Sequence, residues 1–153
     1  VYSRSRSFLY LETVMSTPLD NLVKIGQLKR EPSSTLEFNG LVESGRVRLL
    51  DAKNTSLSIE SRFDLAYNAS HALALAALRW HGYRSESRYQ VFLCLTHTLG
   101  LKPAEWRVFD TCHRRRNVAE YEGHLEVEES LVTELVILTQ RVLELVEALS
   151  PKP

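Results

Sequence analysis

Residues 66–78 read AYNASHALALAAL, and no other stretch of this chain limits its fold as strongly. Ten of these thirteen residues are apolar, and most of the ten are alanine. Apolar positions around the whole perimeter of a helix mean burial on several sides. The small alanine side chains let neighbouring helices approach closely. The pattern therefore predicts that residues 58–81 form the central helix of a bundle. His81-Gly82-Tyr83 stops it, glycine being suited to the position just past a helix end.

Weaker helical signals flank this segment. Pro18 opens a pattern carrying Leu19, Leu22, Val23 and Leu28, which Gly26 weakens and Glu31-Pro32 breaks. From Thr35 to about Asn54 the chain carries Leu36, Leu41, Val42, Leu49 and Leu50. Ser33 or Ser34 serves as N-cap there, and Glu37 is the capping-box partner of Ser34. A further helix over residues 86–99 presents Tyr89, Phe92, Leu93 and Leu99 and stops at Gly100. Pro103 suits the first turn of the next, over residues 103–122. In the last helix, residues 126–149, Leu131, Leu135, Leu138, Val142, Leu145 and Leu149 are spaced 4, 3, 4, 3 and 4 apart, the seam of a left-handed bundle. Glu126, Glu128 and Glu129 lie near its start, where the helix dipole favours acids. No segment alternates like a strand. The fold class expected is all-α, a bundle of four to six helices over residues 33–150, preceded by an extension over residues 16–32 with a short helix.

Composition narrows the function classes. The 153 residues, 44% hydrophobic and 25% charged, describe an ordinary globular domain able to bury a core. Lys plus Arg and Asp plus Glu are both 19, so the net charge is zero. A neutral balance argues against coating duplex DNA or an anionic membrane, though not against a local basic site. No apolar run is long enough to span a membrane. Two cysteines, Cys94 and Cys112, make no disulfide framework, so a reducing cytoplasm is expected. Residues 1–15 read differently from the rest. Arg4 and Arg6 precede a patch, residues 8–11, too short for a signal peptide, and Met15 is the only methionine. Residues 1–15 are expected to be a disordered or non-native leader without fold information.

Chemistry concentrates at His113-Arg114-Arg115-Arg116-Asn117-Val118-Ala119-Glu120-Tyr121. On a helix Phe109, His113, Arg116 and Glu120 share one arc beside Trp106, while Arg114 and Arg115 point elsewhere. Arg116 is thus expected on the buried or interfacial side, with Glu120 one turn on as its partner. An inward guanidinium calls for a carboxylate, a phosphate or a subunit boundary. A structural ion pair that only fixes helix packing explains the same spacing.

At these residues the sequence resembles a family. SRFDLAYNASHALALAALRWHGYRS, followed two helices later by RNVAEY, is similar to HEPN domains, the "higher eukaryotes and prokaryotes nucleotide-binding" helical bundles. The resemblance covers roughly residues 34–149 and is most specific over residues 60–122. It implies a helical bundle that dimerises around a polar cleft, in RNA or nucleotide biology, as a prokaryotic toxin–antitoxin or defence component. A nucleotidyltransferase-type protein is an implied partner. In the ribonuclease members, an arginine is followed after four to six residues by a histidine. Arg116 matches that arginine, but the positions for the histidine hold Tyr121, Glu122 and Gly123, and His124 falls one place too late. The catalytic candidates left are Arg116, Glu120 and Tyr121, and the nucleotide- or RNA-binding candidates are Arg116, Asn117 and His113. Tyr121, with a reference pKa near ~10, is a poor proton shuttle at neutral pH. The expectation is therefore a homodimer without ribonuclease activity of its own. A non-enzymatic interaction module and a weak metal-independent ribonuclease are the alternatives.

Other signals point less far. Cys94-x-x-His97 is half of a zinc site with no second pair, so no metal or cofactor is expected. Both cysteines read as small buried hydrophobes. Asn68, Ser70 and His71 interrupt the central helix as satisfied core polar groups or interface contacts. Tyr83, Arg84, Arg88 and Tyr89 mix aromatic and basic side chains, suited to clamping a nucleotide or to an exposed loop with snorkelling arginines. A helix-turn-helix built on Arg114 to Arg116 is disfavoured because the helix carrying them is broadly apolar.

Overall fold

The computed structural model describes residues 17–149, so the expected leader lies outside the described residues. The order of elements is α1 (Pro18–Lys24), β1 (Lys29–Arg30), α2 (Thr35–Ala52), α3 (Ile59–Trp80), β2 (Tyr83–Arg84), α4 (Arg88–Leu93), α5 (Leu95–Thr98), α6 (Pro103–Glu122) and α7 (Glu129–Glu147). The fold is an all-α bundle. None of the described helices is long and apolar enough to cross a membrane.

α3 is the axis of the bundle, in contact with α2, α4, α5, α6, α7 and β2. Ser58 caps its start by accepting from the Ser61 amide at 3.1 Å. Gly82, at φ 87°, follows its C-cap His81 and turns the chain back. Phe63, Ala66, Tyr67, Ala69, Leu73, Ala74, Ala76, Ala77 and Leu78 are all buried, as expected for a helix apolar on every side. The closest approach is to α2. A Cβ placed on Gly45 would lie 2.6 Å from Leu73 Cγ, so only glycine lets the two helices meet there. α7 packs along α3 through Leu131, Leu135, Leu138 and Val142, all buried. Toward its end the buried positions drift to Leu143 and Val146, leaving Leu145 and Leu149 only half-buried. A straight helix turns every 3.6 residues, so a strict 3.5 repeat rotates out of the core over two heptads.

Four expectations are corrected. First, the segment over residues 86–99 is two short helices, α4 and α5, with a turn at Cys94. The Thr96 hydroxyl donates to the Leu93 carbonyl at 2.9 Å, competing with the helical ladder. Second, α7 starts at Glu129 because the Glu126 carbonyl is turned aside to accept from Arg115 Nη1 at 3.0 Å. Third, α1 ends at Lys24, before Gly26 at φ 80°, and Leu28 is buried from the loop beyond it. Fourth, β1 and β2 form a small antiparallel pair, Lys29 opposite Arg84 and Arg30 opposite Tyr83, too short to show alternation in a sequence.

That pair ties the N-terminal segment to the end of α3. The Tyr83 hydroxyl donates to Asp20, and Arg84 reaches Glu31 and Glu37. Beneath them Arg79 is 2% exposed. Its Nε donates to Glu37 at 2.9 Å, Nη1 to the Glu31 carbonyl at 2.9 Å, and Nη2 to the Pro32 carbonyl at 2.6 Å. Ser34 caps α2 by accepting from the Glu37 amide at 3.2 Å. The Glu37 carboxylate is spent on the two arginines, so this N-terminus takes a single serine cap.

Candidate functional site

The polar face of the bundle is built where α3, α4 and α6 meet. Phe109 of α6 stacks on Phe92 of α4 at 5.5 Å between ring centroids, fixing the two helices together. One turn further along α6, His113 faces Tyr67 of α3, which is fully buried. The Asn117 amide Nδ2 lies 3.2 Å from His113 Nε2, and Tyr67 Oη lies 2.8 Å from His113 Nδ1. An amide nitrogen only donates, so Nε2 accepts and the Nδ1 proton is donated to the phenol oxygen. Burial holds His113 below its ordinary pKa, with Arg116 and Arg88 acting in the same sense and Asp110 and Glu120 against it. Burial likewise raises the Tyr67 phenol.

Two guanidiniums converge on the Tyr67 ring. Arg88 Cζ lies 5.5 Å from its centroid and Arg116 Cζ 5.0 Å. Arg116 Nη1 donates to Glu120 Oε1 at 3.1 Å, whereas Arg88 Nη1 donates to the neutral Asn68 Oδ1 at 3.2 Å, and both guanidiniums also act on the Tyr67 hydroxyl. Arg88 thus forms no ion pair with any described residue. Nearby, the half-buried His71 meets Phe92 edge-on at 5.9 Å. Its pKa is pushed down to about 4, by burial first and then by the positive charge of Arg88 and Arg116. At neutral pH His71 is uncharged, and the charges acting on the two imidazoles are the cations Arg88 and Arg116, opposed at His113 by Asp110 and Glu120.

Arg116, but not Arg88, also lines a cleft of about 410 Å³ together with Glu60, Asp64, Phe63, Ala119, Glu120 and Leu125. The three carboxylates of the cleft outnumber its one guanidinium. An anion is therefore favoured on the Arg88 side of Arg116 and disfavoured in the cleft.

The candidates read from the sequence part company here. His113, Arg116 and Asn117 come together around Tyr67. Arg116 has 27% of its side chain exposed, and its partner Glu120 63%. The inward guanidinium of this fold is instead Arg79, which sequence reasoning passed over. Its spacing of seven from Ala72 and three from Ala76 was the available signal, since it puts Arg79 on their buried face. Tyr121 is 94% exposed and stands apart from the Tyr67 cluster. The aromatic-basic group at residues 83–89 divides. Tyr83 and Arg84 belong to the strand pair, and Arg88 and Tyr89 belong to this site. Ser70 Oγ donates to the Tyr67 carbonyl at 2.7 Å, within its helix, while Asn68 donates from Nδ2 to the Asp64 carbonyl at 2.8 Å and accepts at Oδ1 from Arg88 of α4. Cys94 and Cys112 are buried, which pushes their thiols up to about 11 and about 12. Among the described residues no group of three or more His, Cys, Asp or Glu side chains is arranged to hold a metal ion.

Comparison of the chain with known protein-family profiles, curated proteins and solved structures gives no match.

Proposed function

We propose that this chain is a HEPN-like helical protein that binds nucleotide or RNA phosphate at the α3–α4–α6 face and does not cleave RNA itself. The observation that carries this reading is the convergence of Arg88 and Arg116 on Tyr67, with Arg88 left without a carboxylate. A guanidinium held in place but unpaired is a ready partner for a phosphate, which it takes in a bidentate, charge-assisted fashion. Cleavage is not expected, because none of His113, Glu120 and Tyr121 is free and placed to handle a proton: the Glu120 carboxylate accepts from Arg116 Nη1 at 3.1 Å. Both His113 nitrogens are engaged, by Tyr67 and by Asn117, and Tyr121 stands in solvent. A positioned acid or base contributes about 10²–10⁴-fold, so its absence leaves a binding site. The reading includes a cytoplasmic homodimer in a toxin–antitoxin or defence setting, with α6 at the interface beside a nucleotidyltransferase-type partner. The half-exposed Val118 and exposed Tyr121 on α6 support an interface there.

The test is fluorescence polarisation of a labelled single-stranded RNA with wild type, Arg88→Ala and Arg116→Ala, alongside an RNA cleavage assay with chelator present. Binding that weakens about tenfold in each variant, with no cleavage, is expected; hydrogen bonds to charged groups contribute about 1.5–3 kcal/mol. Robust wild-type cleavage abolished by Arg116→Ala would overturn the non-catalytic reading. The Arg116–Glu120 pair favours a second reading, a purely structural interaction module. That reading leads if RNA does not bind and Arg116→Ala only lowers the melting temperature or dissociates a dimer.

A further inference from the structure

We infer that Tyr89 is a base-stacking platform beside the arginine pair, so that the ligand is an unpaired nucleotide within a single-stranded nucleic acid. This rests on the phosphate-binding reading and names what lies next to the phosphate. Tyr89 is 42% exposed, yet its ring is held from behind. It meets Trp106 edge-on at 6.2 Å and an interplanar angle of 77°, and lies 6.5 Å from the His113 ring. A ring fixed in this way, with 42% of the residue open to solvent, has little conformational freedom left to lose on binding.

The platform and the cations are contiguous. Arg88 precedes Tyr89 in the chain. The His113 ring, 6.5 Å from Tyr89, is also 6.3 Å from the Tyr67 ring on which Arg88 and Arg116 converge. A base laid on Tyr89 would have its backbone phosphate beside Arg88, while Arg116 meets the same or the next phosphate. A stacking surface alternating with backbone-directed cations is the chemistry of single-strand recognition, which tolerates any base because every base has a π-face. A base inside a duplex has both faces covered by its neighbours and cannot use the platform. The acidic cleft at Arg116 keeps the strand on the Arg88 side.

The experiment is fluorescence polarisation with a labelled oligouridylate of about 10 nucleotides, the matching single-stranded DNA, and a duplex of the same length. Wild type, Tyr89→Ala, Tyr89→Phe and Arg88→Ala are compared, each checked by circular dichroism. Tyr89→Ala should weaken single-strand binding about tenfold, Tyr89→Phe should stay within about twofold of wild type, and the duplex should bind at least about tenfold more weakly than the single strands. Full-strength binding by Tyr89→Ala, with loss confined to Arg88→Ala, would overturn the platform while leaving the phosphate site standing. Equal binding of the duplex would overturn it too. Failure of wild type to bind any of the three probes would remove the phosphate reading along with it.

Discussion

Gly45→Ala is the substitution that tests the packing of this bundle most directly. The new Cβ would meet Leu73 Cγ at 2.6 Å, Cδ2 at 2.7 Å and Cδ1 at 3.2 Å. Carbon atoms rest at about 3.5–4.0 Å, so the overlap is close to ~1 Å. Leu73 is fully buried in α3, so it can yield only by displacing its neighbours in the packed core. Overpacking of this kind costs about 1–3 kcal/mol. Against it stands the helix preference of alanine over glycine, about 0.5–1 kcal/mol. A net loss of up to about 2.5 kcal/mol is expected, read as a lower urea midpoint at unchanged slope by far-UV circular dichroism. Gly40→Ala on the same helix is the control. Its Cβ meets nothing within 4 Å and the position is exposed, so it should gain about 0.5–1 kcal/mol. Leu73→Ala alone should cost about 2–5 kcal/mol, and in that background Gly45→Ala should turn neutral or stabilising, because the clashing atoms are gone. Gly45→Ala as stabilising as Gly40→Ala would refute the close approach of α2 and α3.

Leu138→Ala, in the buried seam of α7, should cost about 2–5 kcal/mol by chemical denaturation, and a change under about 0.5 kcal/mol would mean the seam is not core. His71 has a folded pKa pushed from 6.5 to about 4, so the unfolded chain takes up its proton first. Its contribution to stability is whole above pH 6.5 and lost as pH falls toward about 4, so His71→Gln should flatten the decline of the urea midpoint between pH 7 and pH 4.5. Light scattering of the purified chain at tens of micromolar should give a dimer, and a monomer there would count against α6 as an interface.

The local chemistry of each helix is legible in the residues that bound it. Ser34 and Ser58 cap where a serine precedes a helical pattern, and Pro103 and Gly123 bracket α6. These signals act over three or four residues and need no neighbours. The limits at Cys94 and near Glu126 failed because one side chain, Thr96 or Arg115, captured a backbone carbonyl, and α1 stopped short at Lys24, before the positive-φ Gly26. The sharing of one face by His113, Arg116 and Glu120 is likewise legible, since helical spacing alone dictates it. Whether that face is buried is not.

By itself the sequence determined the α class, most helix limits, the central place of the alanine-rich helix and the leucine seam, because propensity, capping and periodicity belong to a single segment. Only the tertiary structure decided which arginine goes inside. Arg79 is buried because the Glu31 and Pro32 carbonyls and the Glu37 carboxylate arrive from a distant part of the chain to receive its hydrogen bonds. Arg116 stays half exposed because α3 offers it a tyrosine face and an acidic cleft. The convergence of Arg88 and Arg116 on Tyr67, and the closeness of Gly45 to Leu73, are distances between helices. Side-chain volumes in the packed interior set such distances, and no periodicity within one helix encodes them.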